Sequence, residues 1–311
     1  MIGVLEGTLN LIKPPGMTSH DVVGYVRRIL GQKRVGHTGT LDPLAAGLLV
    51  ICVGRATRIS RFLTTSVKCY RAEVTFGVST STQDAAGDIE EISDASSLTA
   101  DDIIMALDRQ KGTQWQVPPM ASAVRHQGRK LYELARTGLE VERQPREIEI
   151  FEIRALRLDD LGTARPRALF EVTCSKGTYV RTLCFDIGRS VGLPAFNSFL
   201  LRTGVGAWAV NAAFTLEELA GHAREGSLEN VLVSVDEALA HLPVVLVKEA
   251  ACQAVLNGRT LYAPGIEEMP RPLDQYVRLR GSDGLLAVAE RVTEADSDTV
   301  AFKPVWVRSR I

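Results

Sequence analysis

The chain has 311 residues, 45% of them hydrophobic and 23% charged, proportions typical of a soluble globular protein of more than one domain. No basic cluster precedes an apolar run at the N-terminus, and the longest apolar stretch, Leu44 to Val53, is about half a membrane span. Neither a secretory leader nor a membrane helix is expected, and the cytoplasm is the expected compartment. The formal net charge of −1 conceals segregation: Leu11–Arg71 has ten Lys/Arg against two Asp/Glu, Ala72–Asp108 has nine acids and no base, Arg109–Asn211 has sixteen bases against ten acids, and the remainder is acidic. Basic segments in a near-neutral protein suit a polyanionic partner, although charges spread over solvated faces give the same count.

In chain order, Gly7 to Ile12 predicts a short strand entering the forced turn Lys13-Pro-Pro-Gly16. Thr18-Ser-His-Asp21 offers N-cap residues for a helix carrying Val22, Val23, Val26, Ile29 and Leu30, with Gly31 as its stop. The stretch Val35-Gly-His-Thr-Gly-Thr-Leu-Asp-Pro-Leu-Ala-Ala-Gly47 follows. It holds one carboxylate, Asp42, in a turn built from glycines and Pro43, which biases Asp42 toward an extended backbone. The apolar run Leu48–Val53 then predicts a buried strand. An acid held rigidly at the mouth of a core strand is a candidate reactive group, and the same pattern also describes an ordinary turn aspartate.

Arg55, Arg58 and Arg61 fall near one face of a helical stretch, as a phosphate-contacting stripe or a solvated face. Tyr70 to Phe76 alternates as a strand. Thr80 to Asp102 is polar and acidic, and predicts an exposed loop without chemistry leading into a helix over Ala100–Leu107. Trp115 to Arg146 is irregular and basic, with a short helix from Leu131 stopped by Gly138. It has the composition of an arm that grips a nucleic-acid groove. Glu147–Leu158 and Ala168–Cys174 predict strands, Tyr179–Gly188 a helix, Phe199–Gly206 another strand, and Phe214–Leu242 a helical section ending at Pro243. Short strand-like pieces split by Gly258, Gly265 and Ser282-Asp-Gly284 follow, the pattern of a small β-rich second domain. The five cysteines are scattered without zinc-ligand spacing, so buried free thiols are expected and no metal.

Six stretches together resemble the bacterial tRNA pseudouridine-55 synthase family, the TruB type. They are Lys13-Pro14 with Gly16-Met-Thr-Ser19; Gly36-His-Thr-Gly-Thr-Leu-Asp-Pro43; Lys68-Cys-Tyr-Arg71; Pro118-Pro-Met120 with Leu131-Tyr-Glu-Leu-Ala135; Cys174 through Leu183; and Leu200-Leu-Arg-Thr-Gly-Val-Gly206. They fall in the family's order over roughly residues 7–210, and the tail resembles, more weakly, the family's RNA-binding PUA domain. The resemblance implies an α+β fold: a mixed, mainly antiparallel catalytic sheet over 1–243 with an RNA-gripping insertion at about 115–146, then a PUA-like domain over 244–311. It implies an enzyme that isomerises one uridine of the tRNA T loop without a cofactor, partnered by tRNA alone, with no membrane and no obligate protein partner. Asp42 is the implied nucleophile, at uracil C6 or ribose C1′. Tyr70 would stack on the base and take part in proton removal at C5, Arg181 would pair with Asp42, Tyr179 and Leu200 would line the pocket, and His37 would meet the flipped nucleotide. Ala121, where the family often has an aromatic, departs from the pattern within the arm.

The chemistry demands such a set. Burial disfavours a carboxylate's charge, so a nucleophilic Asp42 needs a guanidinium beside it. A stacked uridine must be extruded at a cost of a few kcal/mol, and an aromatic platform returns about 1–3 kcal/mol. A non-catalytic RNA-binding or RNA-chaperone module would share the charge pattern and the β-rich tail. A glycosidase would need a second carboxylate about 5–10 Å from Asp42, and Leu11–Arg71 offers only Asp21.

Overall fold

The computed structural model describes residues 5–64, 67–122, 124–135, 137–272, 274–293 and 300–308. Positions 123 and 136 of the expected arm, and 273, 294–299 and 309–311 of the tail, lie outside the described residues.

The fold is α+β, with a ten-stranded sheet and a five-stranded sheet. In the large sheet the strands run 232–233, 7–13, 46–53, 195–205, 68–76, 167–174, 146–159, 112–116, with 35–37 and 208–209 joined at the side. Ala46–Val53 against Ala195–Val205 is the only parallel pairing of two strands in that sheet among the described residues, apart from the single-residue bridges Leu11↔Phe214 and Asp84↔Asn197, and only Leu201↔Ala46 and Arg202↔Gly47 are in register. All other neighbours are antiparallel. The sheet thus consists of two antiparallel halves that meet over two residues and splay apart beyond them. Gly47 permits the contact: its φ is +109°, and a Cβ there would collide with the backbone of Arg202, lying 2.7 Å from its nitrogen. Gly47→Ala is therefore expected to destabilise the fold by more than the roughly 0.5–1 kcal/mol of a propensity change, read as a lowered denaturation midpoint.

Each half has its own core. Leu9, Leu11, Leu49, Ile51 and Val53 pack under the helices Ser19–Leu30 and Leu216–Glu225. The first helix is set by local chemistry: Thr18 and Asp21 form a reciprocal capping box, and Gly31 closes it in the left-handed conformation at φ 61°. Ala72, Val74, Phe76, Phe170 and Val172 pack under Ala100–Asp108 and Val180–Ser190. The other face of the first half, at Leu48, Val50 and Cys52, meets Leu285, Val288 and Trp306 of the C-terminal sheet. That sheet, ordered 266–268, 244–247, 276–281, 284–293, 300–307, closes its own core over the helix Glu249–Leu256.

Several sequence expectations change. Phe214–Leu242 is not one helical section: it breaks into the helices Leu216–Glu225 and Val235–Ala238, a 3-10 turn, and a strand Leu232–Val233 that pairs with Thr8 and Leu9. Gly226, left-handed at φ 73°, ends the first piece. Thr80–Asp102 is not a plain loop, because Val78–Thr80 and Ile89–Ile92 form a hairpin. Trp115 and Gln116 end the edge strand Gly112–Gln116, paired with Arg146–Ile150, rather than opening the arm. Arg61 serves neither of its expected roles alone, since it stacks over the rings of Phe62 and Tyr276 at 4.7 and 5.4 Å. The cysteines are free, four of them buried. No helix of the described residues is long and apolar enough to cross a membrane.

Candidate active site

The splayed junction opens a cleft lined by Asp42, Leu44, Ala45, Asp84, Arg181 and Phe199–Leu200, among others. Asp42 enters it from the loop that precedes Ala46–Val53, whose turn is closed by the Ala45 amide donating to the Asp42 carbonyl at 3.1 Å. Arg181 enters from the first turn of Val180–Ser190 and is only 3% exposed. Its Nη2 donates to Asp42 Oδ1 at 3.1 Å, and its Nε lies 2.9 Å from Oδ2 without aiming its N–H at it. The pair is one charge-assisted hydrogen bond plus a close ionic contact. Asp42 keeps 31% of its side-chain surface open toward the cleft.

Arg181 holds more than Asp42. Nη1 donates to Asp84 Oδ2 at 3.1 Å and to the Thr82 carbonyl at 2.9 Å, and Nη2 donates to the Ala121 carbonyl at 2.8 Å. Asp84 is itself fixed: its Oδ1 accepts from the Thr82 hydroxyl and from the Ala86 amide. Thr82 and Asp84 thus belong to the site, a correction to the expectation that this acidic stretch carries no chemistry. The signal available was Thr82-Gln-Asp-Ala-Ala-Gly87, an Asx-turn pattern, in which a side chain at Gly87 would collide with Thr82. Nothing in nine acids marked Asp84 as the one turned inward.

The balance of charges leaves Asp42 above the usual carboxylate range. Burial pushes its carboxyl up, Arg181 pulls it down, Asp84 pushes it up again, and Lys13 pulls it down. Burial is the largest cause, so the guanidinium limits the rise without cancelling it.

The loop is braced from the N-terminal side. Ser19, buried at the start of its helix, accepts from the Leu41 amide at 2.8 Å and donates to the Leu41 carbonyl at 3.2 Å. The Gly16 amide and the Lys13 ammonium both donate to the Pro43 carbonyl, at 2.8 and 3.1 Å. Lys13 also reaches the carbonyls of Pro14 and Met17, and its burial pulls it down to about 8. Sequence reasoning passed over Ser19 as a capping residue; the cap is Thr18. Ser19→Ala leaves two buried backbone groups beside Asp42 unpaired and is expected to cost about 1–3 kcal/mol, measured by denaturant unfolding, with a lower turnover rate per folded molecule.

The other expected site residues are placed as follows. Leu200 lines the cleft with Asp42. Tyr70 is buried in Lys68–Phe76, its hydroxyl pushed up to about 12 by burial, with Asp42 among the charges acting on it. Tyr179 caps the Arg181 helix, and Gln116 clamps its backbone through a donated and an accepted hydrogen bond, 3.1 and 2.8 Å. Its hydroxyl is pushed up mainly by burial, and it too feels Asp42. His37 lies on the strand Val35–His37 opposite Ile51, outside the cleft lining, with Nδ1 buried and without a hydrogen bond. Burial, then the charges of Arg202 and His20, pull it down. The structure therefore brings Asp42, Arg181 and Leu200 into one cleft, sets the two tyrosines beside it, and leaves His37 apart.

Residues 27–180 match the TruB family pseudouridylate synthase N-terminal domain. The tRNA pseudouridine synthase B of Pelotomaculum thermopropionicum is 51% identical over 309 residues, 98% of each chain. That of Moorella thermoacetica is 44% identical over 97% of this chain and 98% of its own. Among solved structures, a Cbf5-Nop10-Gar1 complex contains a chain with a TM-score of 0.75 and 27% identity, aligned over 97% of this chain and 84% of that one. The chain belongs to the TruB family of pseudouridylate synthases.

Proposed function

We propose that this protein isomerises uridine to pseudouridine at position 55 in the T loop of tRNA, with Asp42 as nucleophile. The C1′–N1 bond breaks, the uracil turns, and a C1′–C5 bond forms while N1 gains a proton and C5 loses one. Atoms balance within the nucleotide, so no cofactor is consumed. The observation that carries the reading is the Asp42–Arg181 pair, a carboxylate held in the cleft beside a guanidinium that favours its ionised form. Near full-length similarity to curated tRNA pseudouridine synthases supports the substrate. Tyr70 serves as the platform for the flipped base, Tyr179 and Leu200 shape the pocket, and His37 meets the displaced nucleotide. Residues 1–243 form the catalytic unit and 244–311 a PUA-like RNA-binding unit, working in the cytoplasm on the tRNA T arm. The insertion after Gln116 is the gripping arm; its ends are tied by Arg143 donating to the Pro118 carbonyl at 3.2 Å.

The test is site-by-site pseudouridine mapping of an unmodified tRNA transcript incubated with the protein. A single new pseudouridine at T-loop position 55 is expected. Modification elsewhere, or none despite tRNA binding, overturns the assignment. Binding itself is expected to weaken with salt, log K falling by about 0.7–0.9 per neutralised phosphate for each unit of log salt; a flat response in a filter-binding titration contradicts a phosphate footprint.

A further inference from the structure

Among the described residues, the largest fully buried side chain is a cation, Arg202, 1% exposed. Its acceptors are neutral. Nε donates to the Leu48 carbonyl at 2.7 Å, Nη2 to the Gly39 carbonyl at 3.1 Å, and Nη1 to the Thr40 carbonyl at 3.4 Å. Burying a guanidinium on neutral carbonyls is a costly way to staple a fold, so its placement calls for a reason. The strand Ala195–Val205 sets Arg202 in register with Tyr70 on one side and with Gly47 on the other. Gly39 and Thr40 belong to the loop that ends in Asp42. Tyr70 is its cross-strand partner, so the two side chains stand side by side on one face of the sheet, and the guanidinium's charge works against the burial that raises the Tyr70 hydroxyl. One residue therefore links the two elements that meet the uracil, its fork bonded to the loop and its strand paired with Tyr70, at the parallel junction where the sheet halves are joined by only two residues in register. Without it, the Asp42 loop and the Tyr70 strand belong to different halves of the sheet.

We propose that Arg202 is a positioning residue for the isomerisation, fixing the Gly39–Thr40 backbone and the Tyr70 side chain relative to each other so that Asp42 and Tyr70 address the same uracil. A lysine keeps the charge but offers a single donor centre in place of the fork, and so cannot hold the three carbonyls together beside Tyr70. The proposal rests on the reading of Asp42 and Tyr70 given above.

The experiment compares Arg202→Lys, Arg202→Met, Tyr70→Phe and the double variant Arg202→Lys/Tyr70→Phe. It measures single-turnover isomerisation at saturating protein, tRNA affinity and thermal unfolding. Each Arg202 variant is expected to slow the single-turnover rate by about 100-fold, the scale of a 1 Å misplacement, with tRNA affinity unchanged. In the Tyr70→Phe background, Arg202→Lys is expected to cost less than it does in the wild type, because the hydroxyl whose placement it governs is already gone while the ring remains. The proposal is overturned if Arg202→Lys isomerises at the wild-type rate, if its loss multiplies fully with that of Tyr70→Phe, or if tRNA affinity falls in step with the rate. It also falls if neither single Arg202 variant unfolds cooperatively, since the residue is then needed simply to fold. A Tyr70→Phe variant at the wild-type rate removes the role of the Tyr70 hydroxyl and the proposal with it, whereas a slow Tyr70→Phe beside a fast Arg202→Lys removes the proposal alone.

Discussion

Arg181→Met should abolish isomerisation and destabilise the fold in the same protein. The substitution strands two carboxylates, Asp42 and Asp84, and removes the donor to the carbonyls of Thr82 and Ala121. Breaking a buried pair by deleting one partner costs roughly 3–5 kcal/mol, visible as a large fall in the denaturation midpoint. The catalytic effect has its own signature. Arg181 is the largest influence pulling Asp42 down against burial, so without it the Asp42 carboxyl rises further. A nucleophile must be ionised, so activity is lost as pH falls through the folded-state pKa of Asp42, and that acid limb should already lie above the usual carboxylate range in the wild type. In Arg181→Lys, which keeps a charge but loses the fork that spans Asp42, Asp84 and Ala121, residual activity should show the limb displaced to higher pH. An unshifted limb, or an Arg181→Met variant as stable as the wild type, would show that the guanidinium does not govern Asp42.

The sequence carried some of this arrangement and not the rest, for physical reasons. The helix Ser19–Leu30 was readable because its cap, its apolar spacing and its Gly31 stop all act locally. The strands 7–13, 46–53 and 68–76 were readable because buried strands need apolar runs or alternation. Pairing of Asp42 with Arg181 was an implication of family likeness, since 139 residues separate the two and no local pattern binds them. Asp84 was hidden because a turn aspartate facing solvent and one facing an arginine share the same sequence pattern. Arg202 was hidden because arginine in a strand reads as an exposed position, and its burial depends on a parallel contact made by a glycine about 155 residues earlier. Phe214–Leu242 misled because its apolar spacing is helical in each piece, while the breaks come from Gly226 and from pairing with Thr8 and Leu9. Local chemistry thus specified the elements, and the electrostatic network emerged only where distant elements converge.

Asp42→Asn should yield no pseudouridine while leaving the protein at least as stable as the wild type. The two halves of that expectation follow from the same charge. Loss of a catalytic nucleophile costs roughly 10⁴- to 10⁶-fold in turnover, and asparagine cannot substitute as an anion. For stability the sign is fixed by the direction of the shift: the folded state raises the Asp42 carboxyl above its unfolded value, so it favours the neutral form. Asp42 therefore adds stability at pH below its unfolded pKa, and that contribution is lost as pH climbs through the folded pKa. Near neutral pH the charge is a burden on the fold, and a neutral isostere relieves it. Arg181 is not left alone by the change, because Asp84, the Thr82 carbonyl and the Ala121 carbonyl still accept from it. Thermal unfolding at pH 7 and pH 4 should thus show Asp42→Asn at or above the wild type at pH 7, with the gap narrowing at pH 4 as the wild-type carboxyl takes up its proton. A variant that is inactive and also markedly less stable at pH 7 would mean that Asp42 holds the loop together structurally. An inactive variant of undiminished stability marks a charge kept in the cleft for chemistry, against the preference of the fold.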